Sequence, residues 1–136
     1  VGASPQWISE NIYESDSPAK LKLLAAAMET VEIDLENRIA SMTVTFEHLR
    51  RAGATMDHTE GFVDVPRTVR GIDIAVLYTQ MEEEKFKVSL RSKGRVNVEK
   101  IAGRFGGGGH TNAAACRISG NIEVVKALIY EAVKEL

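Results

Sequence analysis

Four glycines in succession, Gly106–Gly109, with Gly103 just ahead of them, constrain this chain more than any other stretch. Each glycine has the most backbone freedom to lose on ordering, so such a run is either a floppy linker or a segment that needs positions without a Cβ. Linkers continue into serine and other polar residues. Here Ile101 and Phe105 precede the run and Ala113-Ala114-Ala115-Cys116 follows it, which points to a buried, built segment. Two uses fit: close packing of a helix against a sheet, or an anion site whose backbone NH groups sit next to a helix N-terminus. The phosphate loop of the common nucleotide hydrolases is excluded, since no Gly-Lys-Ser/Thr follows. A dinucleotide fingerprint is excluded as well, because its third glycine, counted from Gly106, would fall on Thr111. His110, directly after the glycines, can donate to a phosphate or a base.

Charge adds a second constraint. The chain has 17 basic and 19 acidic residues, a net charge of −2 that by itself argues against a nucleic-acid binder. Residues 85–104, however, hold Lys85, Lys87, Arg91, Lys93, Arg95, Lys100 and Arg104 against Glu99 alone, a local charge of +6, which leaves −8 on the rest. A positive stretch on an acidic body focuses anionic ligands, although a solvated strand and turn would show the same count. The single cysteine, Cys116, cannot form an internal disulfide and fits a reducing compartment, the cytoplasm. Its small apolar neighbours suit a buried structural thiol. Cys116 and His110 are too few for a zinc site, and Asp16, Asp34, Asp57, Asp64 and Asp73 are scattered, so no metal is expected on this chain. His48, beside Arg50 and Arg51, reads as surface. No apolar run approaches the roughly 18 residues of a membrane span, and no signal peptide is visible.

The period of the apolar residues sets the elements. Trp7, Ile8, Ile12 and Tyr13 have helical spacing. Ser17-Pro18 then opens a helix whose stripe is Leu21, Leu24, Met28, Val31 and Leu35. That stripe packs on its own protein or on a domain outside this chain. From Ala40 to Phe46 the period is two, a half-buried strand. A short helix over Glu47–Ala52 should stop at Gly53, and Asp57 with Glu60 resembles a capping box for another. Ile72–Thr79 and Lys85–Ser92, joined by Glu82-Glu83-Glu84, read as an antiparallel hairpin. Its second strand turns Phe86, Val88 and Leu90 inward and a basic side outward. Asn97 caps a short helix, Ile118 belongs to a last strand, and Gly120-Asn121 opens a C-terminal helix with an apolar face of Ile122, Val125, Leu128, Ile129, Ala132 and Val133. The predicted fold is α/β, with a mixed, largely antiparallel sheet flanked by helices.

Several segments in this order carry a resemblance. Lys87-Val88-Ser89-Leu90-Arg91-Ser92, Val96-Asn97-Val98, Phe105 with Gly106–Gly109 and His110, and Asn112-Ala113-Ala114 resemble the C-terminal DHH-associated domain of phosphoesterases named for an Asp-His-His motif. Thr59-Glu60-Gly61-Phe62-Val63 also fits. The type is similar to the oligoribonucleases that remove the 3′-phosphate of 3′-phosphoadenosine 5′-phosphate (pAp). The resemblance implies that residues 38–136 are the substrate-binding domain. Residues 1–37 would be the end of a catalytic domain and its linker helix. The catalytic half outside this chain would hold a manganese pair that activates water. Carried over residue by residue, Arg91, Ser92 and Lys93 would hold phosphate or the terminal nucleotide. Gly106, Gly107, Gly108, Gly109 and His110 would close over the scissile phosphate, and Asn112 would also bind substrate. Short single-stranded RNA or DNA or a pAp-like nucleotide would be the ligand, the protein's own Asp-His-His domain its partner, and a homodimer is compatible. Asp57-His58 is followed by Thr59, so it is not the catalytic motif. Ala115 stands where the family usually has glycine. A second class stays open: related domains at the C-terminus of alanyl-tRNA synthetases bind RNA and mediate association without hydrolysis.

Overall fold

The computed structural model describes residues 17–136, so the helix expected near Ser4–Ser15 lies outside them. Helix α1 spans Pro18–Met28, β1 Glu32–Asp34, β2 Ile39–Val44, α2 Phe46–Ala52, a 3-10 turn Met56–Thr59 and α3 Asp64–Arg67. Then follow β3 Ile74–Glu82, β4 Lys85–Ser92, α4 Val98–Gly103, β5 Gly108–His110, β6 Ala113–Ser119 and α5 Ile122–Lys134. The strands form one sheet in the order β1-β2-β3-β4-β6-β5. All neighbours are antiparallel except β2 and β3, whose parallel pairing needs the crossover supplied by α2, the 3-10 turn and α3. The mixed, largely antiparallel α/β architecture holds.

Ser17 caps α1 as expected: its hydroxyl accepts from the Lys20 NH, and Pro18 occupies the first turn, where its missing NH costs nothing. Of the expected stripe only Leu24 and Val31 pack, half-buried, against the core. Leu23 and Ala27 are buried, whereas Leu21, Met28 and Leu35 are 65%, 51% and 63% exposed. The helix stops at Met28, where the Thr30 hydroxyl donates to the Ala27 carbonyl, and the chain beyond extends into edge strand β1. Periodicity ran two elements together.

The sheet is covered unevenly. On one face Val76, Tyr78, Val88, Leu90 and Cys116 pack against α4 and α5, with Val125, Ile129 and Ala132 buried as the C-terminal pattern predicted. On the other, Leu23 and Ala27 of α1 join Met42, Val44, Phe62, Val63, Ala75 and Leu77. Helix α1 is therefore packed on this body. With both faces covered, every residue of β2 is buried, including Ser41 and Thr43, so the half-buried expectation fails there. The second cover lies mainly over β2 and β3. Beyond it β4 keeps the predicted alternation, Phe86, Val88 and Leu90 inward and Lys87 exposed.

His48 is not a free surface residue. The Thr45 hydroxyl accepts from the His48 NH, and His48 Nδ1 accepts from the Thr45 NH, a reciprocal cap on α2. Burial, then the Arg51 charge, holds the imidazole below its ordinary pKa. The unfolded chain therefore takes up this proton first. The stability from neutral His48 is complete above its unfolded value and is lost as pH falls through the folded one. Between about pH 7.5 and pH 5 the melting temperature of wild type should fall more than that of His48→Gln, which keeps an acceptor at this capping position. Equal slopes would refute the coupling.

Candidate functional site

Because the second face is covered mainly over β2 and β3, the outward side chains of β4 border an open cleft. Lys87, Ser89 and Arg91 stand there beside Arg117, Ala115 and Ala113 of β6, their direct partners in the ladder. The 3-10 turn and the loop after it form the opposite wall: Met56, Asp57, Thr59, Glu60 and Gly61. Between wall and floor lies an open cleft of about 350 Å³. Its floor is basic and its wall carries two carboxylates. Among the described residues Lys87, Arg91 and Arg117 make no ion pair, so none of the floor's cations is directly paired.

The wall is held by His58. Its Nδ1 accepts from the Thr55 NH at 2.9 Å, and its Nε2 lies 3.4 Å from the Ser17 hydroxyl of α1. With Nδ1 accepting, Nε2 carries the hydrogen and donates. Asp57 and Glu60 are therefore not the capping box expected of them; Thr55 and His58 form the turn and leave both carboxylates facing the cleft.

The glycine run begins at the end of α4, and the Gly107 NH donates to the Ala102 carbonyl. Gly106 adopts φ +80°, and Gly108–His110 then become edge strand β5, paired to β6. The run follows a helix C-terminus, so the expected help from a helix N-terminus is absent. The run is exposed, not buried as expected, and its close packing is against strand β6. A Cβ on Gly107 would lie 2.1 Å from the Ala115 carbonyl oxygen, and one on Gly109 2.5 Å from that of Ala113. Gly108 has open space and pairs with Ala115.

The residues singled out in the sequence divide into two groups. Arg91 lies half-buried on the cleft floor, its guanidinium donating to the Leu90 carbonyl. Gly108 and Gly109 line a shallow depression with Lys87, Ser89 and Arg91. His110 is exposed at the end of β5, opposite Ala113. Gly106 and Gly107 border an adjoining hollow with Phe105, Lys87 and Arg117. Ser92, by contrast, is on the opposite face and 3% exposed. Its hydroxyl donates to the Val96 carbonyl at 2.6 Å and accepts from the Asn112 amide at 2.9 Å. Asn112 also donates to the Gly94 carbonyl. Ser92 and Asn112 thus clamp two turns together, away from the cleft. Lys93 is exposed beyond the end of β4, near the Val69 carbonyl, and does not line the cleft.

Sequence reasoning missed Arg117 and the acidic wall. Arg117 alternates with Ala115 and Ala113, a readable signal, whereas the wall is brought to the floor only by the crossover. Burial pushes the Cys116 thiol up to about 11, as suits an inert structural cysteine. Among the described residues no three of His, Cys, Asp and Glu are grouped to hold a metal, and no helix is long and apolar enough to cross a membrane.

The model of the DHHA1 domain matches residues 37–136. This chain belongs to the DHHA1 domain family. The chain is 33% identical, over 119 residues, to the bifunctional oligoribonuclease and PAP phosphatase NrnA of Thermus thermophilus. That match covers 87% of the chain and 35% of the relative, so the chain spans about a third of that protein. An exopolyphosphatase-related protein from Bacteroides fragilis superposes with a TM-score of 0.89 at 24% identity, over 98% of this chain and 39% of its own. A pGpG-specific phosphodiesterase from Vibrio cholerae gives 0.55 at 17% identity, over 87% and 40%. Both structures share the DHHA1 fold seen here.

Proposed function

We propose that this chain is the substrate-gripping part of a manganese-dependent phosphoesterase acting on short oligonucleotides or on 3′,5′-bisphosphate nucleotides such as pAp. The observation that carries the reading is the basic floor without direct ion pairs, continuous with the glycine edge strand that ends at His110. The name of the Thermus relative, which joins both substrate types, supports it. The Arg91 fork supplies a planar, paired donor set for phosphate oxygens. His110 supplies a further donor on the same row, two strands away across Ala113. Asp57 and Glu60 repel a bare phosphate yet accept from hydroxyl or amino groups. A nucleotide is thereby oriented, phosphate to the floor and sugar or base to the wall.

The described residues do not fit a manganese pair. The metal and the water it activates belong to the chain's Asp-His-His catalytic domain, in the cytoplasm, while this chain binds and orients. Incubated with manganese, the chain by itself should leave a short oligonucleotide intact; cleavage by material free of other nucleases refutes that division of labour. Binding of pAp or a dinucleotide should be weak, on the order of micromolar to millimolar, and salt-sensitive. Chemical-shift mapping should place it on Arg91 and Gly108–His110. Perturbations confined to α1, with the glycine strand silent, would overturn the reading.

A further inference from the structure

The cleft floor is a grid. Arg91, Ala113 and His110 share one row across β4, β6 and β5, and Ser89, Ala115 and Gly108 share the next. Lys87 and Arg117 share a third, at the hairpin end of β4, and border a hollow whose other side is Phe105 with Gly106 and Gly107. The middle row is nearly bare of side chains. Lys87 and Arg91 are four residues apart on one strand, about 13 Å along the backbone at the usual rise.

The third row is an anomaly in its own right. Lys87 and Arg117 are like charges placed directly opposite in an antiparallel ladder, an arrangement that destabilises a sheet. Among the described residues neither makes an ion pair with a carboxylate. Position 117 is exposed, so nothing in the packing requires a cation there. An anion between the two would turn the repulsion into a site. Phe105, half-buried beside them, presents an aromatic surface at the same hollow. Cations tracking a backbone beside an aromatic platform are how proteins hold single strands without reading sequence.

We propose that Lys87, Arg117 and Phe105 form a second nucleotide subsite, which binds an internal phosphate and stacks a base of a chain whose terminal phosphate sits at Arg91 and His110. It rests on the phosphate-gripping reading of the cleft and deepens it. The strand crosses the bare middle row, so the site measures length. An oligonucleotide fills both ends, and a mononucleotide fills one.

The test compares AMP, 5′-phosphorylated diadenylate and triadenylate on this chain, by titration at low and moderate salt. The trinucleotide should bind about tenfold or more tightly than AMP and with a steeper salt dependence. Arg117→Gln and, separately, Phe105→Leu should reduce that gain to about threefold or less, whereas Arg117→Lys should retain it. Without ligand and at low salt, Arg117→Gln should melt about 1–4 °C above wild type, because the repulsion is relieved. Equal affinity for AMP and trinucleotide overturns the subsite, as does a gain that survives both Arg117→Gln and Phe105→Leu. A different failure reaches further: if Arg91→Ala alters binding of none of the three ligands, the phosphate-gripping reading falls and takes this subsite with it.

Discussion

Gly107→Ala is expected to lower the melting temperature of this chain by several degrees, while Gly108→Ala, one residue further on, leaves it unchanged or slightly raised. At position 107 the new methyl would meet the Ala115 carbonyl oxygen at 2.1 Å and the Cys116 Cβ at 2.7 Å. Real Cβ atoms do not approach so closely, and neither neighbour is a flexible side-chain tip. The backbones of the run and β6 must part. Overpacking of this kind costs about 1–3 kcal/mol, roughly 3–12 °C for a domain of this size. Position 108 has nothing within 4 Å and no left-handed φ, so alanine there sheds unfolded-state entropy at no steric cost. Binding should nevertheless fall in both variants for different reasons. Gly107→Ala displaces the strand that carries Gly108, Gly109 and His110. Gly108→Ala only adds a methyl where the strand lines the cleft. Thermal melts with a nucleotide titration separate the two, and a Gly107→Ala protein that melts with wild type refutes the account of the run.

What the sequence made legible was whatever depends on neighbours along the chain. The alternation of β4, the cap at Ser17 and the apolar face of α5 are local patterns, and all three are where they were expected. The errors occur where a distant partner decides. Leu21, Met28 and Leu35 have a good helical period, yet Leu23 and Ala27 are the residues the sheet covers, and pairing with β2 takes Glu32–Asp34 as a strand. β2 shows an alternating pattern although helices bury both its faces. A three-residue edge strand made of Gly108, Gly109 and His110 has no strand-forming residue at all; β6 imposes it. The site follows the same division. Arg91 and the glycines were legible because their chemistry is unusual for their surroundings. Asp57 and Glu60 reach the cleft only through the crossover between the parallel strands β2 and β3.

Adjacent positions on β4 should show opposite phenotypes: Arg91→Ala should weaken nucleotide binding and leave stability alone, and Ser92→Ala should do the reverse. The family resemblance assigns both to the ligand, but neighbouring residues of a strand point to opposite faces. The Ser92 hydroxyl is buried between the Val96 carbonyl and the Asn112 amide. Alanine removes the hydroxyl that joins them, which costs about 1–3 kcal/mol and loosens the turns at both ends of the clamp. Arg91 makes one hydrogen bond, to its neighbour's carbonyl, and lines the open cleft. Its removal should stay within about 0.5 kcal/mol in the unliganded chain. It should forfeit a charged hydrogen bond to phosphate, about 1.5–3 kcal/mol, or roughly ten- to more than a hundredfold in affinity. His110→Ala should follow Arg91 in direction, since His110 is exposed and, among the described residues, its side chain makes no hydrogen bond. Melting curves and pAp titrations of the three variants decide the matter. A Ser92→Ala chain that melts normally but no longer binds would return Ser92 to the ligand, which requires the end of β4 to rotate its hydroxyl into the cleft.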